Sequence, residues 1–203
     1  MPPLPDPKGV FLNVPYDEEF QDLYIAYIVG LFQLGLVPHL ASEIPGGGRR
    51  LDRIIQLIQS CRYSIHDLSR VELSVSPSAT PRFNMPLELG MTITWQILNP
   101  GQHTWFVCES EPYRLLRSAS DLNGTDPYIH GGNVQGVFRE LSNAFPRDRR
   151  PSVPQMLTVY NLVDGALHSI FKNNGTRDPY SRSVFLDLCS LSVSLASFSP
   201  PAA

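Results

Sequence analysis

Short apolar runs alternate with longer amphipathic stretches over the first half of the chain, and this alternation limits the possible folds more than any other feature. The runs have the length and composition of buried strands, and they lie at 10–14, 36–42, 61–70 and 103–110. Strands separated by single helices are typical of a parallel sheet with helices on both faces, joined by right-handed crossovers. The sequence therefore predicts a flavodoxin-like three-layer α/β fold, in which a parallel sheet of four to five strands is flanked by helices and C-terminal helices follow.

The stretches between the runs have helical periodicity. In 16–35, apolar residues recur at i, i+3, i+4 and i+7, acidic residues crowd the first turn, and Gly35 marks the end. A second amphipathic helix follows the glycine-rich loop at 46–48, with apolar residues at Leu51, Ile54, Ile55, Ile58 and Cys61.

Residues 85–97 fit two structures. Apolar residues alternate perfectly with other residues there, which by period alone indicates a strand. However, Asn84 and Pro86 form a helix-start signal, and a parallel sheet needs a crossover between its third and fourth strands. We therefore predict a helix from about Pro86.

The composition predicts three regions. Residues 1–8 are rich in proline and are expected to form a flexible tail, and 9–172 are expected to form a single α/β domain of the nucleotide-binding type. Within that domain, helices are predicted at 132–145 and 153–172. Residues 173–203 are rich in serine and are predicted to be a poorly ordered tail.

Charge and cysteine content narrow the class of protein. The net charge is −3 with 16 Lys and Arg, which argues against binding to a nucleic-acid backbone. The three cysteines are far apart and form no CxxC pair, so neither a zinc site nor a disulfide framework is expected, and a cytoplasmic location is predicted. No membrane partner is expected, since the most apolar stretch, 23–37, is shorter than a membrane-spanning helix and the N-terminus lacks the apolar core of a signal peptide.

Polar residues follow each predicted strand, at the edge where open parallel sheets bind ligands. Any one of them is equally well explained as a turn or capping residue. Because several independent strand ends finish in polar residues at one rim, we predict a shared site there. Its predicted members are Asn13, Tyr16, Glu43, His66, Asp67, Arg70, Arg82, Asn84 and Glu88.

Glu88 is the sharpest candidate among these residues. If the helix starts near Pro86, the Glu88 carboxylate lies in its first turn, where the helix dipole keeps it ionised. An ionised carboxylate on a rigid element suits a nucleophile, or an anion that stabilises an oxocarbenium-like centre. The alternative is that Glu88 only complements the helix dipole.

Other polar residues carry less information. The run Gly46-Gly47-Gly48 before Arg49 and Arg50 could cradle a phosphate, but it matches no phosphate-binding motif and is better explained as a mobile loop. His39, His103 and His168 lack ligand-type spacing and are expected to be structural. His130 is a better site candidate, because the glycines after it allow a ligand or backbone to approach closely.

Three ordered blocks of sequence support a more specific hypothesis. VFLNVPYDEEF (10–20), RYSIHDLSR (62–70) and PRFNMPLELGM (81–91) resemble an uncharacterised bacterial group that is related to nucleoside 2-deoxyribosyltransferase-like and Toll/interleukin-receptor-like domains. The resemblance covers about 9–145. It implies that Asp67 and the Glu88 of LELG take the places of the transferase's glycosyl-site aspartate and glutamate, the glutamate acting at the anomeric carbon of a ribosyl or deoxyribosyl group.

Three hypotheses of function follow. The first is an enzyme that cleaves or transfers the N-glycosidic bond of a nucleoside, nucleotide or NAD-like molecule, with Glu88 as nucleophile or cation stabiliser, Asp67 orienting the sugar or base, and Arg70 and Arg82 pairing with phosphate or ribose oxygens. It needs no metal or other cofactor. The second is a nucleotide-sensing module of a bacterial defence or signalling pathway, without turnover. The third is an interaction domain that forms homo-oligomers through its helices.

Overall fold

A computed structural model describes residues 4–46, 48–71, 82–122, 124–146 and 150–196. Its strands are β1 (Asp6–Asn13), β2 (Val37–His39), β3 (Cys61–Asp67), β4 (Thr104–Glu109) and β5 (Tyr128–Ile129). Its α-helices are α1 (Gln21–Gln33), α2 (Arg50–Ser60), α3 (Asn84–Leu98), α4 (Arg114–Ser118), α5 (Val134–Ala144), α6 (Val153–Asn174) and α7 (Arg182–Ala196), with short 3-10 helices at Glu18–Phe20 and Ser120–Leu122.

The five strands form one parallel sheet in the order β2-β1-β3-β4-β5. This sheet, with helices on both faces and further helices after it, confirms the predicted fold class. The predicted helices at 132–145 and 153–172 correspond to α5 and α6, whereas β5 has no counterpart among the predicted strands. Among the described residues, no helix combines the length and the apolar character needed to cross a membrane.

The two faces of the sheet contact different helices, because neighbouring residues of a strand point to opposite sides. Val10 and Leu12 of β1 pack on the face covered by α1, α5, α6 and α7. Phe11 points to the other face and packs against Ile54, Leu57 and Ile58 of α2. On that second face, α3 packs its buried residues Met85 and Leu89 beside Val107 of β4.

Residues 85–97, whose sequence pattern fits either a strand or a helix, belong to helix α3, as predicted. The helix begins at Asn84 and not at Pro86. Its buried residues, Met85, Glu88, Leu89 and Thr92, recur at helical spacing and face the sheet. Of the seven alternating apolar residues, only Met85 and Leu89 are buried, while Leu87 and Ile97 are exposed, so the period-2 pattern does not reflect burial.

The predicted tails are partly wrong. Asp6 starts β1 and pairs with Cys61 of β3, so residues 6–8 belong to the sheet and not to a flexible tail as predicted. At the other end, Arg182–Ala196 forms α7, whose Val184 and Phe185 are buried in the same core as α1. Serine is tolerated in this helix partly because hydroxyls bond within it, as Ser192 Oγ does to the Leu188 carbonyl. Residues 1–3 and 197–203 lie outside the described residues.

Candidate functional site

Glu88 lies in α3 near the carboxyl end of the sheet, where its carboxyl interacts electrostatically with Arg50 and Tyr16. Only 5% of Glu88 is exposed. Burial raises the pKa of its carboxyl to about 7, while the positive charge of Arg50 acts in the opposite direction. This carboxyl, with a guanidinium and a phenol near it, is the group at this rim best suited to take part in a reaction.

Two parts of the prediction for Glu88 need correction. Because α3 begins at Asn84, Glu88 lies in the second turn, beyond the backbone N–H groups that were expected to surround it. Its carboxyl is also not held in the ionised form, since desolvation dominates and the pKa is raised. At pH 7 the protonated and ionised forms therefore occur in similar amounts.

Tyr16 links Glu88 to the C-terminal helices. The Arg50 guanidinium lies 5.2 Å from the centroid of the Tyr16 ring, and Tyr16 stacks on Tyr180 with 4.7 Å between ring centroids. The Tyr180 hydroxyl donates a hydrogen bond of 2.7 Å to the Asp17 carbonyl. The segment between α6 and α7 thus closes the rim above the end of β1.

Arg70 and Arg82 converge on one carboxylate. Arg70 Nε lies 3.0 Å and Arg82 Nη1 lies 2.5 Å from Asp17 Oδ2, and Arg70 also pairs with Glu19 at 2.7 Å. Each arginine side chain remains about one third exposed. A ligand that paired with these two guanidiniums, as predicted, would therefore have to share them with Asp17 or displace it.

Asp67 is sealed in the core and does not approach Glu88. It has no exposed surface, and its Oδ2 accepts a hydrogen bond from Tyr27 at 2.8 Å, while Oδ1 accepts from the amide and hydroxyl of Ser69 at 2.9 and 2.5 Å. His130 Nε2 lies 3.1 Å from Oδ2, without the alignment of a hydrogen bond. These contacts satisfy the carboxylate inside the fold.

The strand geometry places Asp67 and Glu88 on opposite faces of the sheet. Asn13 Nδ2 donates to His66 Nδ1 at 2.8 Å and to the Met85 carbonyl of α3 at 2.9 Å, so His66 lies on the α3 face. Asp67 follows His66 in β3 and therefore points to the α1 face, where it meets Tyr27. The two carboxyls do not share the hollow that the sequence analysis predicted for them.

His66 belongs to a buried chain of hydrogen bonds. His103 Nδ1 donates to the Cys61 carbonyl at 2.8 Å, which leaves its Nε2 to accept from Ser64 Oγ at 2.9 Å. Ser64 Oγ then accepts from His66 Nε2 at 2.9 Å. Burial and the neighbouring His103 lower the pKa of His66 to about 3, so this imidazole is neutral and its ring nitrogens are both engaged within the fold.

The remaining predicted residues are dispersed. Glu43 accepts from His39 Nδ1 at 2.6 Å and from the Leu40 amide at 3.3 Å, so its carboxylate closes the turn after β2. Asn84 is the first residue of α3 and is exposed. His130 is buried and its Nδ1 accepts from the Gly132 amide at 3.0 Å. The structure brings three pairs of predicted residues together, namely Glu88 with Tyr16, Asn13 with His66, and Arg70 with Arg82. Arg50 joins the first of these pairs.

Glu88 does not line any of three prominent surface grooves of the described residues. One of about 520 Å³ lies between α2 and α3, one of about 400 Å³ lies near the end of α6, and one of about 660 Å³ lies between α5 and α6. The chemistry at the rim therefore does not coincide with these three grooves. No group of three or more His, Cys, Asp or Glu among the described residues could hold a metal ion.

Sequence reasoning missed three residues at the rim. The sequence indicates for Arg50 only a possible phosphate-binding loop, whereas its place as the first residue of α2 brings it to the strand ends. Asp17 was read as a first-turn acid, and Tyr180 lies in the segment that was predicted to be a tail. The link between Tyr180 and Asp17 spans 163 residues, so no local pattern could indicate it.

Comparison with known proteins found no match to this chain among family models, curated proteins or solved structures. The resemblance described above therefore stays a prediction.

Proposed function

We propose that this protein cleaves or transfers the N-glycosidic bond of a nucleoside, nucleotide or NAD-like molecule, with the Glu88 carboxylate acting at the anomeric carbon. The observation that carries this proposal is the burial of Glu88 at the carboxyl edge of a parallel sheet, the edge where open α/β sheets bind ligands. The ribosyl nature of the substrate comes from the resemblance of the three sequence blocks, and the role of Glu88 comes from its environment.

Burial gives Glu88 two properties that suit this reaction. It raises the pKa of the carboxyl to about 7, which shows that the surroundings disfavour an unpaired negative charge. The same low-polarity surroundings make an ionised Glu88 attract a positively charged centre more strongly than an exposed carboxylate would. A substrate that develops positive charge at the anomeric carbon would thus be stabilised most in its transition state.

The hydrolytic form of the reaction balances without a cofactor. The bond between the anomeric carbon and the base nitrogen breaks, and its electron pair leaves with the base. Ionised Glu88 stabilises the cationic sugar until the oxygen of a water molecule bonds to the anomeric carbon. A proton from that water ends on the base of a neutral nucleoside, whereas with NAD the nicotinamide leaves as a neutral molecule and the proton passes to the solvent. In transfer, a nitrogen of a second base replaces water.

The neighbours of Glu88 have separate roles in this proposal. Arg50 favours the ionised form of Glu88 and offers guanidinium donors to phosphate or ribose oxygens. Tyr16 presents an aromatic ring, stacked on Tyr180, that borders the site. Arg70 and Arg82 remain candidates for phosphate contacts, in exchange for part of their pairing with Asp17. Asp67, held on the opposite face by Tyr27 and Ser69, is assigned a structural role.

The test is release of free base from NAD and from a panel of nucleosides and nucleotides. The Glu88→Gln variant keeps the size of the side chain and should lower the rate by about 100-fold or more, since it removes a charge that acts in the transition state. The matched control is Glu111→Gln at an exposed loop position, which should retain the rate. Turnover that is unchanged in Glu88→Gln would exclude the proposed role.

A second candidate function is ligand sensing at the same rim without turnover. It is favoured by the closure of the site, since Glu88 is 5% exposed and Tyr180 closes the rim above Asp17. This alternative predicts that a nucleotide raises the melting temperature of the protein with no product formed, and that Glu88→Gln keeps the shift. Product formation dependent on Glu88 would reject it.

A further inference from the structure

We infer that the exposed face formed by α2 and α3 is the interface of a homodimer, in which α3 packs against α3 of a second copy. The inference is independent of the proposed chemistry, since it rests on exposed residues of α3, whereas Glu88 is buried. It starts from the groove of about 520 Å³ between the two helices, lined by Ile55, Ile58, Gln59, Pro86, Leu87, Gly90, Met91, Thr94, Trp95 and Leu98.

This face exposes as much apolar surface as the largest patch on a typical monomer, and such patches are often functional. Leu87, Ile97 and Leu98 are 57, 68 and 72% exposed, and they share one side of α3. Phe83, Leu51 and Ile55 are exposed as well, so the apolar surface in this region is on the order of several hundred Å², compared with the ~800 Å² that each partner buries in a standard interface.

The charge pattern favours a second copy as the occupant. Among the fifteen residues of α3, Glu88 alone is charged, and it faces the sheet. The groove residues of α2 are also uncharged. A partner with charges would lose their hydration against such a face without gaining an ion pair. It is, however, complementary to itself, as a twofold interface requires, because the same patch must contact its own copy.

Gly90 lies near the middle of this face and would be the point where the two copies of α3 cross. It is exposed in the middle of α3, and a Cβ placed there would have no atom of the described residues within 4 Å. Glycine weakens the interior of a helix, and no packing within the described chain compensates for it here. A twofold axis near Gly90 would let the backbones of two α3 helices approach closely, with Leu87 and Thr94 on either side of the crossing.

Helix α6 provides the contrast that makes the inference testable. It has an exposed leucine, Leu162, at 56% and an exposed glycine, Gly165, also with open space at its Cβ. Its exposed positions include the ionisable residues Asp164, His168 and Lys172, so it lacks the uncharged face of α3. The same substitutions on α6 therefore serve as matched controls.

The experiment measures the molar mass of the full chain by light scattering and sedimentation at about 50 μM, where a dimer with a micromolar dissociation constant is the main species. We expect the mass of two chains for the wild type and for Leu162→Glu and Gly165→Leu. Leu87→Glu should give a single chain, as should Gly90→Leu, whose side chain enters open space within the monomer and blocks the crossing. Circular dichroism establishes that each variant is folded. A wild-type mass other than two chains, or a dimer that persists in both α3 variants, overturns the inference.

Discussion

The hydroxyl of Tyr27 donates a hydrogen bond of 2.8 Å to Asp67 Oδ2, and both side chains are fully buried between the sheet and α1. Burial and the neighbouring Asp67 raise the pKa of Tyr27 well above its usual value, so the phenol keeps its proton and remains a donor. The bond joins the last residue of β3 to the central helix of the core. A buried carboxylate with donors on both oxygens is costly to leave incomplete.

Asp67→Ala should therefore destabilise the fold strongly. It leaves the Tyr27 hydroxyl and the Ser69 amide without their acceptor, and we expect a loss of at least about 3 kcal/mol in the free energy of unfolding. Tyr27→Phe removes one donor and should cost about 2 kcal/mol. Because the two residues interact directly, the double variant should lose less than the sum of the single losses, as measured by urea denaturation. Wild-type stability of Asp67→Ala would contradict the structural role.

The position of Asp67 shows what could be predicted from the sequence at the strand ends. The order of strands and helices predicts that His66 and Asp67 lie at the carboxyl end of β3, and β3 ends at Asp67. Which face each residue occupies depends on the alternation along β3 and on which helix covers which face. The alternation was visible, since Asp67 shares its parity with Ile65, but the helix assignment depends on long-range packing that no local pattern encodes.

Glu88 and His66 should give the stability opposite dependences on pH. The Glu88 pKa is raised in the folded state, from 4.5 to about 7, so its contribution to stability is fully present below pH 4.5 and is lost as the pH rises to 7. The loss amounts to at most about 3 kcal/mol. Glu88→Gln should lack this loss and should gain stability relative to the wild type as the pH rises from 4.5 to 8. Equal pH dependence of the two proteins in urea denaturation would contradict the burial of an ionisable Glu88.

The His66 pKa is lowered, from 6.5 to about 3, so the sign is reversed. The unfolded chain takes up a proton below pH 6.5 that the folded state refuses, and stability that is present above pH 6.5 falls by about 1.4 kcal/mol per pH unit toward pH 3. His66→Gln should remove most of this fall. The control is His168→Gln, at an exposed position of α6, which should keep the wild-type dependence. A His66→Gln variant as acid-sensitive as the wild type would show that the imidazole is not held neutral.

Between pH 4.5 and 6.5 the two groups act against each other, since acidification favours folding through Glu88 and opposes it through His66. In Glu88→Gln the pH dependence of stability should reflect His66, and in His66→Gln it should reflect Glu88. Glu88→Gln is therefore expected to be the more acid-sensitive protein over this range.

The C-terminal helix α7 lies in a serine-rich region whose composition predicts a poorly ordered tail. Serine-rich sequence has modest helix propensity, so α7 depends on packing against α1, where Phe185 is buried and its neighbour Leu186 is 42% exposed. Phe185→Ala should cost about 3 to 5 kcal/mol of unfolding free energy, and Leu186→Ala should cost less than about 1 kcal/mol. Equal effects of the two substitutions in urea denaturation would mean that α7 does not dock as described.

At Gly136 the backbone of α5 lies so close to the backbone of His130 that no side chain would fit between them. It lies in the first turn of α5, where its amide donates to Asn133 Oδ1 at 2.9 Å, and a Cβ placed there would lie 1.8 Å from the His130 carbonyl oxygen. The neighbouring atoms belong to the backbone that leads from β5 into α5, so a shift would also disturb His130 beside Asp67.

We therefore expect Gly136→Ala to destabilise the protein by more than about 3 kcal/mol, and to do so even though alanine favours helices. Gly165→Ala is the matched substitution in α6, where the Cβ enters open space and stability should rise by about 0.5 to 1 kcal/mol. Thermal unfolding followed by circular dichroism distinguishes the two signs. If Gly136→Ala were as stable as Gly165→Ala, the backbone of α5 could not approach His130 as closely as the structure shows, and the support that this helix gives to the Asp67 contacts would need another explanation.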